Sequence, residues 1–120
     1  MKEEVKRWLE KSKRDLNNSK FNLKNKRYEE SCFFAQQSVE KALKTILLNK
    51  TGKIIKVHDL NILAKKVDLP ENLRGLCKEL TVIYMQVRYP DVPELNNKSE
   101  KANKYVSFAK EILKWVEKNI

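Results

Sequence analysis

The sequence is poor in residues that interrupt regular structure, with two glycines and three prolines in 120 residues. Sandwiches and barrels of many short strands need turn residues between them, so an all-β architecture is excluded. Two cysteines and a single histidine leave no disulfide framework and no zinc-ligand spacing. The two glycines, Gly52 and Gly75, form no glycine-rich phosphate loop. No Glu/Asp cluster suggests a metal site, and neither a metal nor a cofactor is expected. No apolar run approaches the roughly 18 residues that a membrane-spanning helix needs. The charged start, Met1-Lys2-Glu3-Glu4, has no apolar stretch behind it. It predicts no signal peptide and therefore a cytoplasmic protein with no membrane partner.

Charge is abundant. Charged residues make up 35% of the chain, and the formal net charge is +10. Such a field favours anionic partners, namely nucleic acid, nucleotides, an acidic protein or an anionic membrane, although solubility alone also explains it. The length fits one domain with one core. Little material remains for a second layer, so a deep pocket is expected between subunits and not inside one.

Periodicity predicts helices throughout. Val5, Trp8, Leu9, Ser12, Leu16, Ser19 and Leu23 mark a first helix over about 3–24. Lys2, Lys6, Lys13, Lys20 and Lys24 flank that stripe, either as stems snorkelling over a packed helix or as a phosphate-facing rail. Asn25, Lys26 and Arg27 form a polar turn. Cys32, Ala35, Val39, Ala42, Leu43, Ile46 and Leu47 mark a second helix over about 28–49, ended by Gly52 in a left-handed conformation. Residues 53–57 read as a loop or short extended piece. Asp59 caps a short third helix carrying Leu60, Leu63, Ala64 and Val67. Pro70 is expected to open a fourth helix, with Leu73, Leu76, Cys77, Leu80, Ile83, Tyr84 and Val87 as its stripe. Pro90 and Pro93 end it. Ala102, Tyr105, Val106, Ala109, Ile112, Leu113 and Val116 mark a fifth over about 98–118. The expected fold is all-α, an up-and-down bundle of four long helices plus one short helix in a single domain spanning 1–120. Both cysteines fall on apolar faces and read as small buried hydrophobes.

Three constellations carry candidate chemistry. Phe33, Gln37, Glu40 and Lys44 share a strip of the second helix outside its main core stripe, with Gln36 at the edge. The strip suits a base and a phosphate, or else holds a surface Glu40–Lys44 pair worth a few tenths of a kcal/mol. In Arg88-Tyr89-Pro90-Asp91, an arginine at a helix end precedes a proline-stiffened loop. It either forks onto a phosphate or pairs with Asp91 or Glu94 to fix the loop. The lone His58 is either a structural hydrogen-bonding group or a proton-transfer group.

Taken in order, Trp8, Asp15-Leu16, Phe33, Ala35-Gln36-Gln37, Glu40-Lys41-Ala42-Leu43-Lys44, His58-Asp59-Leu60 and Arg88-Tyr89-Pro90-Asp91 resemble the HEPN family of nucleotide-binding domains over almost the whole chain. The resemblance implies a bundle that dimerises, with a nucleotide or RNA site near the dimer interface. It also implies a separately encoded minimal nucleotidyltransferase as partner, in a toxin–antitoxin-type pair. Its ligand-contacting positions would be Arg88, Tyr89, Asp91, Gln37, Glu40, Lys41, Lys44 and Phe33.

Many members of that family are metal-independent endoribonucleases with an arginine followed, after four to six residues, by a histidine. An imidazole for proton transfer beside a cation that stabilises the charged transition state is what that chemistry needs. Arg88 matches the arginine, but Pro93, Glu94 and Leu95 stand where the histidine belongs. A carboxylate of ordinary pKa near 4 is a poor base at neutral pH. The Arg-Tyr-Pro-Asp form resembles the binding branch of the family. The expected function is nucleotide or RNA binding by a homodimer. The alternatives are RNA cleavage with Arg88 and His58 as catalytic candidates, and a protein-interaction module without enzymatic activity.

Overall fold

A computed structural model describes residues 2–120. Five α-helices follow in order: α1 (Glu3–Lys24), α2 (Tyr28–Thr51), α3 (Leu60–Lys66), α4 (Cys77–Arg88) and α5 (Lys98–Lys118). No strand occurs among the described residues, and none of the helices is long and apolar enough to cross a membrane. The all-α bundle of four longer helices and a short one is the architecture that the periodicity predicts.

The second helix is the centre of the bundle and packs against each of the other four. That position explains why it is buried on almost every face: Cys32, Ala35, Val39, Ala42 and Leu43 are each 0% exposed. Burial of each leucine-sized side chain stabilises the fold by about 1.5–3 kcal/mol. Small residues set how closely the neighbours approach. Ser12 and Ser38 bridge α1 and α2 reciprocally, each hydroxyl donating to the other residue's carbonyl at 2.7 and 2.9 Å. Ser19 and Ser31 repeat the arrangement at 2.7 and 2.8 Å. These four hydroxyls are buried yet fully satisfied, so the helices meet without a desolvation penalty.

Helix ends follow the expected chemistry with one correction. Gly52 takes φ 73° and closes α2 by donating its N–H to the Leu48 carbonyl. Asp59 caps α3 by accepting from the N–H groups of Asn61 and Ile62 at 2.8 and 3.3 Å. Pro70, however, does not open α4. Its ψ of 143° is extended, and the chain then makes one tight 3₁₀ turn at Glu71–Leu73. Arg74 folds back to donate its Nε–H to the Leu69 carbonyl at 2.6 Å, and Gly75 follows, a poor helix former. The fourth helix starts only at Cys77.

Residues 53–59 run between α2 and α3 without regular structure. Ile54, Lys56 and His58 are exposed while Ile55 and Val57 pack on the core, the alternation of an extended chain. The Leu60 N–H donates to the Thr81 hydroxyl at 3.0 Å, which ties the end of this segment to α4. Thus His58 is held outward between α2 and α4.

Candidate functional site

The site grows from Glu40, one α-helical step from the core residue Val39. Its carboxylate is buried, with the side chain 9% exposed, and accepts from three donors. These are Lys44 Nζ at 3.0 Å, Gln36 Nε2 at 3.0 Å and His58 Nδ1 at 2.9 Å. The expected surface pair Glu40–Lys44 is therefore corrected. The i,i+4 spacing is as read, but the loop carrying His58 covers the pair, and Lys44 is buried as deeply as Glu40. A desolvated ion pair of this kind is held by geometry and by its extra hydrogen bonds.

From Glu40 the contacts run in two directions. Toward α4, the His58 ring stacks on Tyr84, with centroids 5.9 Å apart and planes 11° from parallel. The Arg88 guanidinium lies 4.7 Å from the same Tyr84 ring and 5.8 Å from the Phe33 ring, and donates to the Tyr84 hydroxyl. Toward α1, Gln36 Oε1 accepts from Gln37 Nε2 at 2.7 Å, and Gln37 Oε1 accepts from Lys41 Nζ at 3.2 Å. Lys41 in turn meets the buried Asp15 carboxylate at 2.5 Å. One polar chain therefore joins α1 to Arg88 across the top of α2.

The neighbours of Arg88 are aromatic and not acidic. Neither Asp91 nor Glu94 makes the ion pair that the sequence allowed, and no described carboxylate lies within ion-pair distance of the guanidinium. Phe33, Val87, Arg88, Glu29 and Glu30 line an open cleft of about 360 Å³. Glu29 is neutralised by Lys98 at 2.8 Å. A second cleft, of about 260 Å³, lies under Tyr89 and Pro90 and shares Arg88 with the first.

Of the residues singled out in the sequence, Phe33, Glu40, Lys44, His58 and Arg88 meet in one cluster. Gln37 and Lys41 belong to the Asp15 end of the polar chain, and Lys41 and Lys44 are neutralised by their carboxylates. Tyr89 and Asp91 are exposed in the loop after α4. Tyr84 is the centre of the cluster, and sequence reasoning placed it in an apolar stripe. Its position four residues before Arg88, on the same helix face, was the available signal. The cluster offers a cation fixed by two aromatic rings, a geometry suited to phosphate. It also offers an imidazole whose Nδ1 is taken by Glu40, leaving Nε2 available for proton exchange. No group of three His, Cys, Asp or Glu side chains among the described residues gathers to hold a metal.

Known proteins share this fold. A family model described as HEPN domain matches residues 5–119. The crystal structure of TT1696 from Thermus thermophilus superposes with a TM-score of 0.87 at 30% identity, covering 97% of this chain and 98% of that one. The crystal structure of ST0689, an archaeal HEPN homologue, superposes with a TM-score of 0.77 at 29% identity, covering 98% and 97%. Comparison with curated proteins finds no match. The match along nearly the whole chain shows that it belongs to the HEPN domain family, a family of nucleotide- and RNA-related domains.

Proposed function

We propose that this chain binds a nucleotide or RNA phosphate at the Arg88 cluster, as a homodimer acting with a separately encoded minimal nucleotidyltransferase in a toxin–antitoxin-type pair. One observation carries the reading. Arg88 is exposed, is held by Tyr84 and Phe33, and has no described carboxylate partner beside an open cleft. An arginine left unpaired and pre-oriented is set up for an incoming anion, and Phe33 offers a ring for a base. Lys44 and Glu40 act one step back, as a support that holds His58 against Tyr84. The dimer reading is supported by Val82 and Met85 on α4 and Tyr89 just after it, exposed apolar side chains near Arg88.

The test is thermal unfolding with a panel of nucleotides and short RNAs, for parent and Arg88→Ala protein side by side. A ligand at 100 times its Kd adds roughly 2.7 kcal/mol, several degrees for a domain of this size. The shift should appear in the parent and vanish in the variant with the helical circular dichroism unchanged. Equal shifts in both proteins remove Arg88 from the site.

A second reading, metal-independent RNA cleavage, is favoured by one specific contact. Glu40 holds the only imidazole in the chain against the same aromatic ring that anchors Arg88. Incubation of RNA with the protein in EDTA tests it. Cleavage lost in His58→Gln supports it, and intact RNA after hours at micromolar protein refutes it.

A further inference from the structure

On the side of the bundle formed by α1 and α5, lysines from both helices converge on one groove. Lys13 and Lys20 come from α1 and Lys110 and Lys114 from α5, around a volume of about 380 Å³. The two helices run antiparallel here, with Lys13 facing Glu117 at 3.3 Å. Glu117 is the only carboxylate lining the groove. Lys20, Lys110 and Lys114 have no carboxylate within ion-pair distance among the described residues. The bias continues along the chain: residues 16–28 contain Lys20, Lys24, Lys26 and Arg27 and no acidic residue.

An apolar partner would find little here. The floor residues Leu16 and Leu113 are already buried at 7% and 3% exposure, so no large apolar side chain stands free in the groove, and lysine side chains from both helices form its walls. The nearby apolar exception is Phe21. It is 65% exposed, more than any other large apolar side chain among the described residues. It does not line the groove itself, but it lies four residues after the groove residue Asn17, one helical turn along the same side of α1. Cations that track a backbone, with an aromatic ring beside them for a base, are the elements of a single-strand binding surface.

We propose that the α1–α5 groove is a second binding surface, which takes a single-stranded polynucleotide. Lys20, Lys110 and Lys114 contact its phosphates and Phe21 stacks on a base. The groove shares no residue with the Arg88 cluster, so the two surfaces are separately testable.

The experiment is fluorescence anisotropy with labelled 20-nucleotide oligo(U), oligo(dT) and a 20-base-pair duplex, between 50 and 200 mM salt. The proteins are parent, Lys20→Gln/Lys110→Gln, Phe21→Ala and Arg88→Ala, each checked by circular dichroism melting. Removing two phosphate contacts should lower the slope of log K against log salt by about 1.4, roughly 0.7 per contact on a single strand. Phe21→Ala should weaken single-strand binding by roughly 5- to 100-fold and leave that slope unchanged. Arg88→Ala, with all the groove lysines intact, should still bind the strands with a salt slope steeper than that of the lysine variant, so a failure of the Arg88 reading is seen separately. Oligo(U) and oligo(dT) should behave alike, because neither cation nor ring reads the sugar. The proposal is overturned if the parent binds no strand at 50 mM salt, or if neither the lysine nor the Phe21 variant differs from it. It is also overturned by a duplex that binds as tightly as the strands without dependence on Phe21. An acidic peptide such as poly-Glu that displaces the strand and binds more tightly assigns the groove to a protein partner instead.

Discussion

Replacing Glu40 by alanine removes the one carboxylate facing Lys44, Gln36 and His58. The ammonium of Lys44 is then left in a side chain 7% exposed, without a counter-charge. Breaking a buried pair by removing one partner costs about 3–5 kcal/mol. Gln36, 0% exposed, loses the acceptor of its amide N–H, which adds about 1–3 kcal/mol if no other oxygen moves in. His58 is more than half exposed and turns to water, so its contribution is small. The net expectation for Glu40→Ala is a loss of at least about 4 kcal/mol, a large part of the 5–15 kcal/mol that such domains possess. Lys44→Met is milder, because Glu40 keeps two donors. The double variant Glu40→Leu/Lys44→Met has no buried charge and should recover to within about 1–3 kcal/mol of the parent, the remainder being the Gln36 amide. Urea unfolding followed by circular dichroism measures these proteins together with Glu40→Leu, and the cycle of parent, Glu40→Leu, Lys44→Met and the double variant extracts the coupling. A Glu40→Ala loss below about 1 kcal/mol, or a double variant as unstable as Glu40→Ala, refutes the argument that the pair is desolvated and mutually dependent.

The other expectations concern thiols, acid and packing. Burial pushes the Cys32 thiol up to about 12 and the Cys77 thiol up to about 11, outweighing the opposing charges of Lys101 and Arg74 respectively. Both should resist iodoacetamide at pH 8 in the native protein and react on unfolding in urea; rapid native labelling would show that the core opens. Burial raises the Glu79 pKa, but the hydrogen bonds from Lys104 and Tyr105 and the charges of Lys104 and Lys101 outweigh it, so the carboxyl sits below its ordinary value. A depressed carboxyl stabilises the fold fully above the ordinary value of about 4.3 and loses that contribution as pH falls through the lower folded value. The melting-temperature gap between parent and Glu79→Gln should therefore be constant near neutrality and close in acid. Exposure limits it to below about 1 kcal/mol, and a gap that widens in acid contradicts the sign. Ser12→Val adds bulk where α1 and α2 touch and should destabilise by about 1–3 kcal/mol, against about 1 kcal/mol for Ser12→Ala; thermal melts that rank them in reverse order reject the close-contact argument.

Helix ends and core faces were legible in the sequence because they depend on neighbours within one turn. The bounds of α1 and α5, the Asp59 cap and the Gly52 stop all follow from such local chemistry. The start of α4 was not, because Pro70 suits either a first helical position or an extended link, and the Arg74-to-Leu69 contact decides between them. The Glu40–Lys44 pair was misread for a similar reason. Spacing gives the contact along the helix, but burial comes from His58 and its loop, 18 residues away. Asp15 entered only through resemblance, since its partner Lys41 lies on another helix.

The reciprocal serine pairs have one more consequence. Ser12 and Ser19 stand seven residues apart on α1, and Ser31 and Ser38 stand seven apart on α2, so the hairpin carries two matched notches on each side. If the helices slid by two turns, one pair would still mate, but the other two hydroxyls would be buried without partners, at about 1–3 kcal/mol each. The notches therefore work as a vernier that indexes α1 against α2. Phe33 and Gln36 lie between Ser31 and Ser38 on α2, and Glu40 lies two residues beyond. The alignment that lets two smooth helices fit is thus the same alignment that brings Asp15 to Lys41, and a slipped hairpin would be less stable and would also lack one end of the polar chain.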